Sequence, residues 1–171
     1  MKNNTTEDFG ILILSYDKLS DIWPITIKFF FKNIVTDGFQ YPIYFGSNEV
    51  MADDPRVIPI LSGKDVDWSS SYLSILKEIK CRKLFVILED LIVSTSVNAI
   101  EFNRFVEFGL SINAMHIKYW PTPKPYLPMP DDFFGEIPKG APYRSTVCGF
   151  WDREYLMNLL IPGESPWKFE M

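Results

Sequence analysis

Apolar runs and helix-period segments alternate along this chain. Phe9–Leu14 is continuously apolar and is broken by Ser15-Tyr16-Asp17-Lys18, which predicts a buried strand followed by a turn. Ser20 or Asp21 stands where a helix cap is expected, Pro24 falls in the first turn, and the helix is predicted to run through about Asn33. Tyr41–Phe45, closed by Gly46, and Val57–Leu61, ending at Ser62-Gly63, predict two further strands. Asp67 then caps a predicted helix whose apolar positions Trp68, Tyr72, Leu73, Leu76 and Ile79 recur at helical spacing.

The run Leu84–Leu88 follows and ends abruptly in Glu89-Asp90. An apolar run without alternation fits a strand covered on both faces, as in a parallel sheet. Asn98–Phe108 predicts another helix, with Gly109 as terminator, and Ala114–Trp120 a strand. Residues 121–142 carry seven prolines, so neither a helix nor a central strand is predicted there. A loop of that length is expected to act as a lid or contact surface, with Tyr126, Phe133, Phe134 and Tyr143 on it. Tyr143–Phe150 predicts a last strand, and Asp152 caps a short helix to about Leu160, ended by Pro162-Gly163. Strand and helix thus alternate, which predicts an α/β domain with a mostly parallel central sheet flanked by helices.

Composition narrows the class. The 171 residues suit one domain. With 47% hydrophobic and 23% charged residues the chain reads as globular rather than disordered. A net charge of −5 argues against a nucleic-acid polymer as partner, because phosphate backbones are held chiefly by Lys and Arg. A small anionic ligand held through a metal remains compatible with it. Cys81 and Cys148 form no Cys-x-x-Cys pattern, so they read as buried free thiols in a reducing compartment rather than a disulfide or zinc site. The opening residues are too polar for a signal peptide and no apolar stretch reaches membrane-span length, which leads to a cytoplasmic expectation.

Candidate chemistry gathers at strand ends, where ligands of open α/β sheets bind. Glu89 and Asp90 suit a hard divalent cation, Mg²⁺ or Mn²⁺, which takes oxygen ligands and shares them with phosphate. Adjacent strand residues point to opposite faces. Both acids reach one cation only if the strand stops at Leu88; the alternative is a strand running on through Leu91-Ile92-Val93. The Ser15-Tyr16-Asp17 turn offers amides, a hydroxyl and a ring for a nucleotide's base and ribose, or is simply a polar turn with Tyr16 packed on its helix. Trp68, beside Asp65 and Asp67, reads either as a binding aromatic or as a core residue behind a cap. Glu164, directly after a Pro-Gly turn and beside aromatic surface, is a general-base candidate; alternatively Trp167 and Phe169 only pack a tail onto the core. His116, the only histidine, sits mid-strand and reads as packed.

The segment from Gly149-Phe150-Trp151-Asp152-Arg153-Glu154-Tyr155-Leu156 to Pro162-Gly163-Glu164-Ser165-Pro166-Trp167-Lys168-Phe169-Glu170 resembles a motif of bacterial glycosyltransferases with a GT-A-like, Rossmann-like fold. These enzymes build surface polysaccharide or lipopolysaccharide. The Ser15-Tyr16-Asp17 turn, the Trp68-Ser69 helix start and the acids after Leu88 fall in the expected order. The resemblance spans about residues 9–170, and its pattern usually continues further, so the chain reads as a C-terminally short member. It implies a nucleotide-sugar donor at Ser15, Tyr16, Asp17 and Trp68, a divalent cation at Glu89 and Asp90, and Glu164 as the base that activates an acceptor hydroxyl. It also implies a glycan or lipid-linked acceptor and work at the inner membrane face. The rival expectation is a non-catalytic glycosyltransferase-like module that binds a partner protein or a glycan.

Overall fold

The computed structural model describes residues 8–35, 39–121, 124–129, 133–140 and 148–170. Its elements are β1 (Phe9–Leu14), a 3-10 turn (Asp17–Leu19), α1 (Trp23–Asn33), β2 (Ile43–Ser47), β3 (Ile58–Leu61), α2 (Trp68–Glu78), β4 (Lys83–Leu88) and α3 (Ala99–Ser111). They continue with β5 (His116–Lys118), β6 (Leu127–Pro128), β7 (Gly135–Glu136), β8 (Gly149–Asp152), α4 (Arg153–Leu159) and α5 (Pro166–Phe169). Six strands form one sheet in the order β3-β2-β1-β4-β8-β5. β3, β2, β1 and β4 are mutually parallel, and β8 runs antiparallel to both β4 and β5. The expected mostly parallel α/β sheet is therefore present, with one reversed strand inserted next to its last member.

Three layers follow from strand alternation. Phe9, Ile11 and Ile13 of β1 and Phe85 and Ile87 of β4 pack with Trp23, Ile27 and Phe30 of α1 and Phe102, Phe105 and Val106 of α3. Leu12, Leu14, Leu84 and Val86, one residue out of phase, pack with Tyr72, Ile75 and Leu76 of α2 and Leu156 of α4. A period of two in a strand that is apolar throughout feeds both cores, which is why β1 and β4 show no polar alternation.

Several sequence expectations are corrected. α1 starts later than expected: its N-cap is Ile22, with no side-chain capping bond, so neither Ser20 nor Asp21 has that role. The 3-10 turn uses the intervening residues, and Pro24 still occupies the first turn. Gly46 lies inside β2 rather than closing it; a Cβ there would stand 2.9 Å from the Ile75 side chain, so the residue admits α2 against the sheet. Gly109 lies inside α3, which runs on to Ser111 and turns off at Asn113, whose φ is 50°. A Cβ at Gly109 would come within 2.7 Å of the Phe150 ring, so this glycine also serves close packing. Of the strand expected over Tyr143–Phe150, residues 149 and 150 are in β8, which runs on to Asp152, and residues 141–147, with Tyr143, lie outside the described residues. Asp67 and Asp152 cap their helices through side-chain oxygens, as expected, and Asn98, expected as the first residue of its helix, instead caps it. Cys81 and Cys148 are buried free thiols. No helix among the described residues is long and apolar enough to cross a membrane.

Candidate functional site

Strand order turns back between β1 and β4, because β1 leads outward to β2 and β3 while β4 lies on its other side. In open α/β sheets a crevice forms beyond the carboxyl ends of strands at such a point. A cleft of about 500 Å³ lies there. Its walls include Ser15 and Tyr16 after β1, Asn48 after β2, Asp65 and Trp68 at the start of α2, and Leu88, Glu89 and Asp90 at the end of β4. Pro166 and Trp167 of α5 close one side. Of the residues expected at a site, Ser15, Tyr16, Trp68, Glu89 and Asp90 meet in this cleft although up to 75 positions separate them (15 to 90).

β4 stops at Leu88 and the backbone turns: the Leu91 amide donates to the Leu88 carbonyl at 3.1 Å and the Ile92 amide to the Asp90 carbonyl at 3.1 Å. The strand does not run on through Leu91–Val93. The turn lets both acids line one cleft in unequal settings. Glu89 is 6% exposed, whereas Asp90 is open to solvent. Burial pushes the Glu89 carboxyl up to about 7; the Asp90 charge adds to the rise, and a bond from its own backbone opposes it. The Glu89 carbonyl is fixed from below by the Thr26 hydroxyl, 2.6 Å away. Among the described residues no group of three or more His, Cys, Asp or Glu stands together. Two carboxylates alone suit a cation that completes its shell with phosphate oxygens and water.

The β1 turn divides its expected roles. Ser15 is buried, and its Oγ accepts the Trp23 indole N–H at 2.6 Å, which orients the hydroxyl from the α1 side. Tyr16 is 40% exposed on the cleft wall. Asp17 is not among the cleft-lining residues. Its carboxylate accepts the amides of Asn48 at 3.0 Å, Glu49 at 2.9 Å and Val50 at 3.2 Å, while Asn48 Oδ1 accepts the Asp17 amide at 3.2 Å. Asp17 thus ties the loop after β1 to the loop after β2.

At the start of α2, Trp68 packs against Tyr72 and Phe169, with ring centroids 5.4 and 5.6 Å away. It is at once a core aromatic and a cleft wall. Asp67 Oδ1 accepts the Ser70 amide at 2.8 Å and the Gly163 amide at 3.0 Å. These bonds and the Ser69 hydroxyl hold its carboxyl down at about 2, with the Ser70 backbone bond as the largest cause. Ser69 is fully buried; its Oγ lies 2.7 Å from the Ile161 carbonyl and 2.8 Å from the Asp67 carboxylate, and it accepts the Glu164 amide at 3.0 Å. The Pro-Gly turn is therefore clasped onto the first turn of α2. Glu164 is half-buried beside the cleft, on the segment that carries Pro166 and Trp167 into it, but is not itself among the lining residues.

Ser69 and Asn48 were not apparent from the sequence as site-building residues. Their partners are remote in sequence, and a serine inside a helix or an asparagine after a strand carries no local signal of such a partner. His116 is packed: its ring stacks on Trp151 with centroids 3.6 Å apart, and Nδ1 donates to the Phe150 carbonyl at 2.9 Å. Burial holds its imidazole down at about 4, so it is neutral at physiological pH, and it does not line the cleft. No family model matches the chain, and no curated protein matches it.

Proposed function

We propose that the chain is a nucleotide-sugar-dependent glycosyltransferase of GT-A-like type, moving a sugar from a nucleoside-diphosphate donor to a glycan or lipid-linked acceptor in surface polysaccharide synthesis. The observation that supports this most is the convergence in one cleft of Tyr16, Trp68, Glu89 and Asp90 at the turning point of the strand order. The glycosyltransferase-like motif at residues 149–170 adds the segment that borders that cleft.

In this reading Tyr16 and Trp68 give the donor nucleoside apolar surface, and the oriented Ser15 hydroxyl meets its polar edge. Glu89 and Asp90 would hold Mg²⁺ or Mn²⁺, which would supply positive charge to neutralise the departing diphosphate. For a transfer that inverts the anomeric centre, Glu164 accepts the proton of the acceptor hydroxyl as its oxygen bonds the anomeric carbon, and the bond from that carbon to the phosphate oxygen breaks with its electrons leaving on the diphosphate. Asp17 acts indirectly, by fixing the loops after β1 and β2.

The test is thermal and chemical stability of the full chain with UDP-, GDP- and CDP-sugars, each with and without Mn²⁺. A donor at a hundredfold over its Kd adds about 2.7 kcal/mol to stability. A shift that needs the cation and is lost in Asp90→Ala supports the proposal. No shift with any donor defeats it. Donor binding without transfer to any acceptor is what the non-catalytic module would give.

A further inference from the structure

The cleft's aromatic residues differ in what covers them. Trp68 and Tyr72 pack on each other, and Trp68 also meets Phe169. Trp167 lines the same cleft yet is 74% exposed. Val66, 79% exposed, lines the same cleft, so the two together present open apolar surface there rather than a lone exposed ring. Nor is this ring on a loose tail. The turn before it is clasped by the Gly163 amide on Asp67 and the Glu164 amide on Ser69. Ser165 caps α5 by accepting the Lys168 amide, and Phe169 wedges between Trp68 and Trp151, with centroids 5.6 and 6.4 Å away. Hydrogen bonds before it and ring packing after it therefore fix the backbone on either side of a side chain that is itself largely exposed. A ring held rigidly at a cleft rim loses little entropy when a ligand settles on it.

Its neighbours suggest the ligand. Asp65, which the proposed cation does not use, lines the same cleft, and Glu164 is three residues away on the same clasped segment. Carboxylates accept hydrogen bonds from hydroxyls. An aromatic face carries negative charge density and draws weakly positive C–H groups. Hydroxyls on the edge and C–H groups on the face are the two halves of a pyranose ring. We infer that Trp167 is a carbohydrate-stacking platform that seats a pyranose face in the cleft, as a positioning and specificity-determining residue. This rests on the proposed transferase reading for the site, although not for the platform's chemistry. The sugar is either the donor's transferred ring or the acceptor's.

The experiment compares wild type, Trp167→Ala and Trp167→Phe. Calorimetry measures binding of UDP, GDP and CDP and of their sugar conjugates with Mn²⁺. Saturation-transfer NMR measures methyl β-glucoside, β-galactoside and β-N-acetylglucosaminide without nucleotide. If the ring is the donor's, Trp167→Ala weakens the nucleotide sugar about tenfold, or ~1.4 kcal/mol, and leaves the free diphosphate unchanged. If it is the acceptor's, donor affinities stay equal while the methyl glycoside signal falls by about tenfold. Trp167→Phe restores most of the binding in either case. Because the side chain is exposed, the thermal midpoint should not move. The inference is overturned if the alanine change weakens the free diphosphate as much as its sugar, which would mark a base-stacking residue, or if no sugar probe responds. Should wild type bind no nucleotide, the transferase reading fails, and the glycoside measurements still decide whether Trp167 seats a sugar.

Discussion

Replacing Glu89 by glutamine should reveal a carboxyl that titrates near neutrality, and its size follows from where the side chain sits. The carboxyl rises from its ordinary 4.5 to about 7 in the folded protein, chiefly through burial in the cleft wall. Between those two values the folded chain holds a proton that the unfolded chain has released. Folding stability therefore falls as pH rises through this window. At about 1.4 kcal/mol for each pH unit, the full effect is at most about 3 kcal/mol. Water at the cleft mouth screens part of it, so about 1–3 kcal/mol is expected.

The wild-type stability curve alone would hide this. His116 is held from its ordinary 6.5 down to about 4, so it contributes the opposite slope: stability is lost as pH falls through that range. The difference between Glu89→Gln and wild type removes the histidine from the comparison. Urea unfolding at half-unit steps from pH 4 to 8 gives the curve. Glutamine resembles the protonated acid, so the difference should be nearly flat at pH 4, begin to change near pH 4.5 and rise in the variant's favour by about 1–3 kcal/mol by pH 7.5. A flat difference curve would refute the reasoning. It would mean that the Glu89 carboxyl reaches water in the folded protein.

Gly109→Ala sets helix propensity against packing. Alanine favours the helix by about 1 kcal/mol, but its Cβ would stand 2.7 Å from the fully buried Phe150 ring, which stacks on Phe9. Overpacking of about 1–3 kcal/mol should win, and a raised urea midpoint would show that α3 can shift. Ser69→Ala removes the hydroxyl that joins Ile161 and Glu164 to α2. Amide exchange across residues 161–169 should quicken by about tenfold or more while exchange in β1 and β4 stays slow; unchanged exchange would show that Asp67, the Ser69 amide bond to the Glu164 carbonyl and the Trp68–Phe169 packing secure the segment without the hydroxyl.

Much of the scaffold was legible because its cause is local. Leu84–Leu88 and Phe9–Leu14 are apolar at every position, and only a strand covered on both faces calls for that. Asp67 and Asp152 each precede a helix-period run, and each accepts an amide bond there. What escaped the sequence depends on remote partners. Gly46 and Gly109 looked like stops, yet each makes room for a side chain, Ile75 or Phe150, at least 29 positions away (46 to 75). β8 pairs with both β4 and β5 antiparallel to each, and its apolar run carries no mark of that direction. At the site, the end of β4 was visible as a change of polarity. The unequal burial of its two acids was not, since it depends on how the turn after Leu88 sits in the cleft wall.

Asp17 carries a consequence for anion traffic. Three successive amides, of Asn48, Glu49 and Val50, converge on its carboxylate. Consecutive amides of this kind form a concavity that attracts anions. The chain has filled it from within, with a negative group of its own. A sulfate or phosphate drifting to the β2 end of the cleft therefore finds the receptor taken and a like charge in the doorway. This anion cradle is given over to fastening two loops together, so in the proposed reading an anionic guest depends for its counter-charge on the cation that Glu89 and Asp90 would hold.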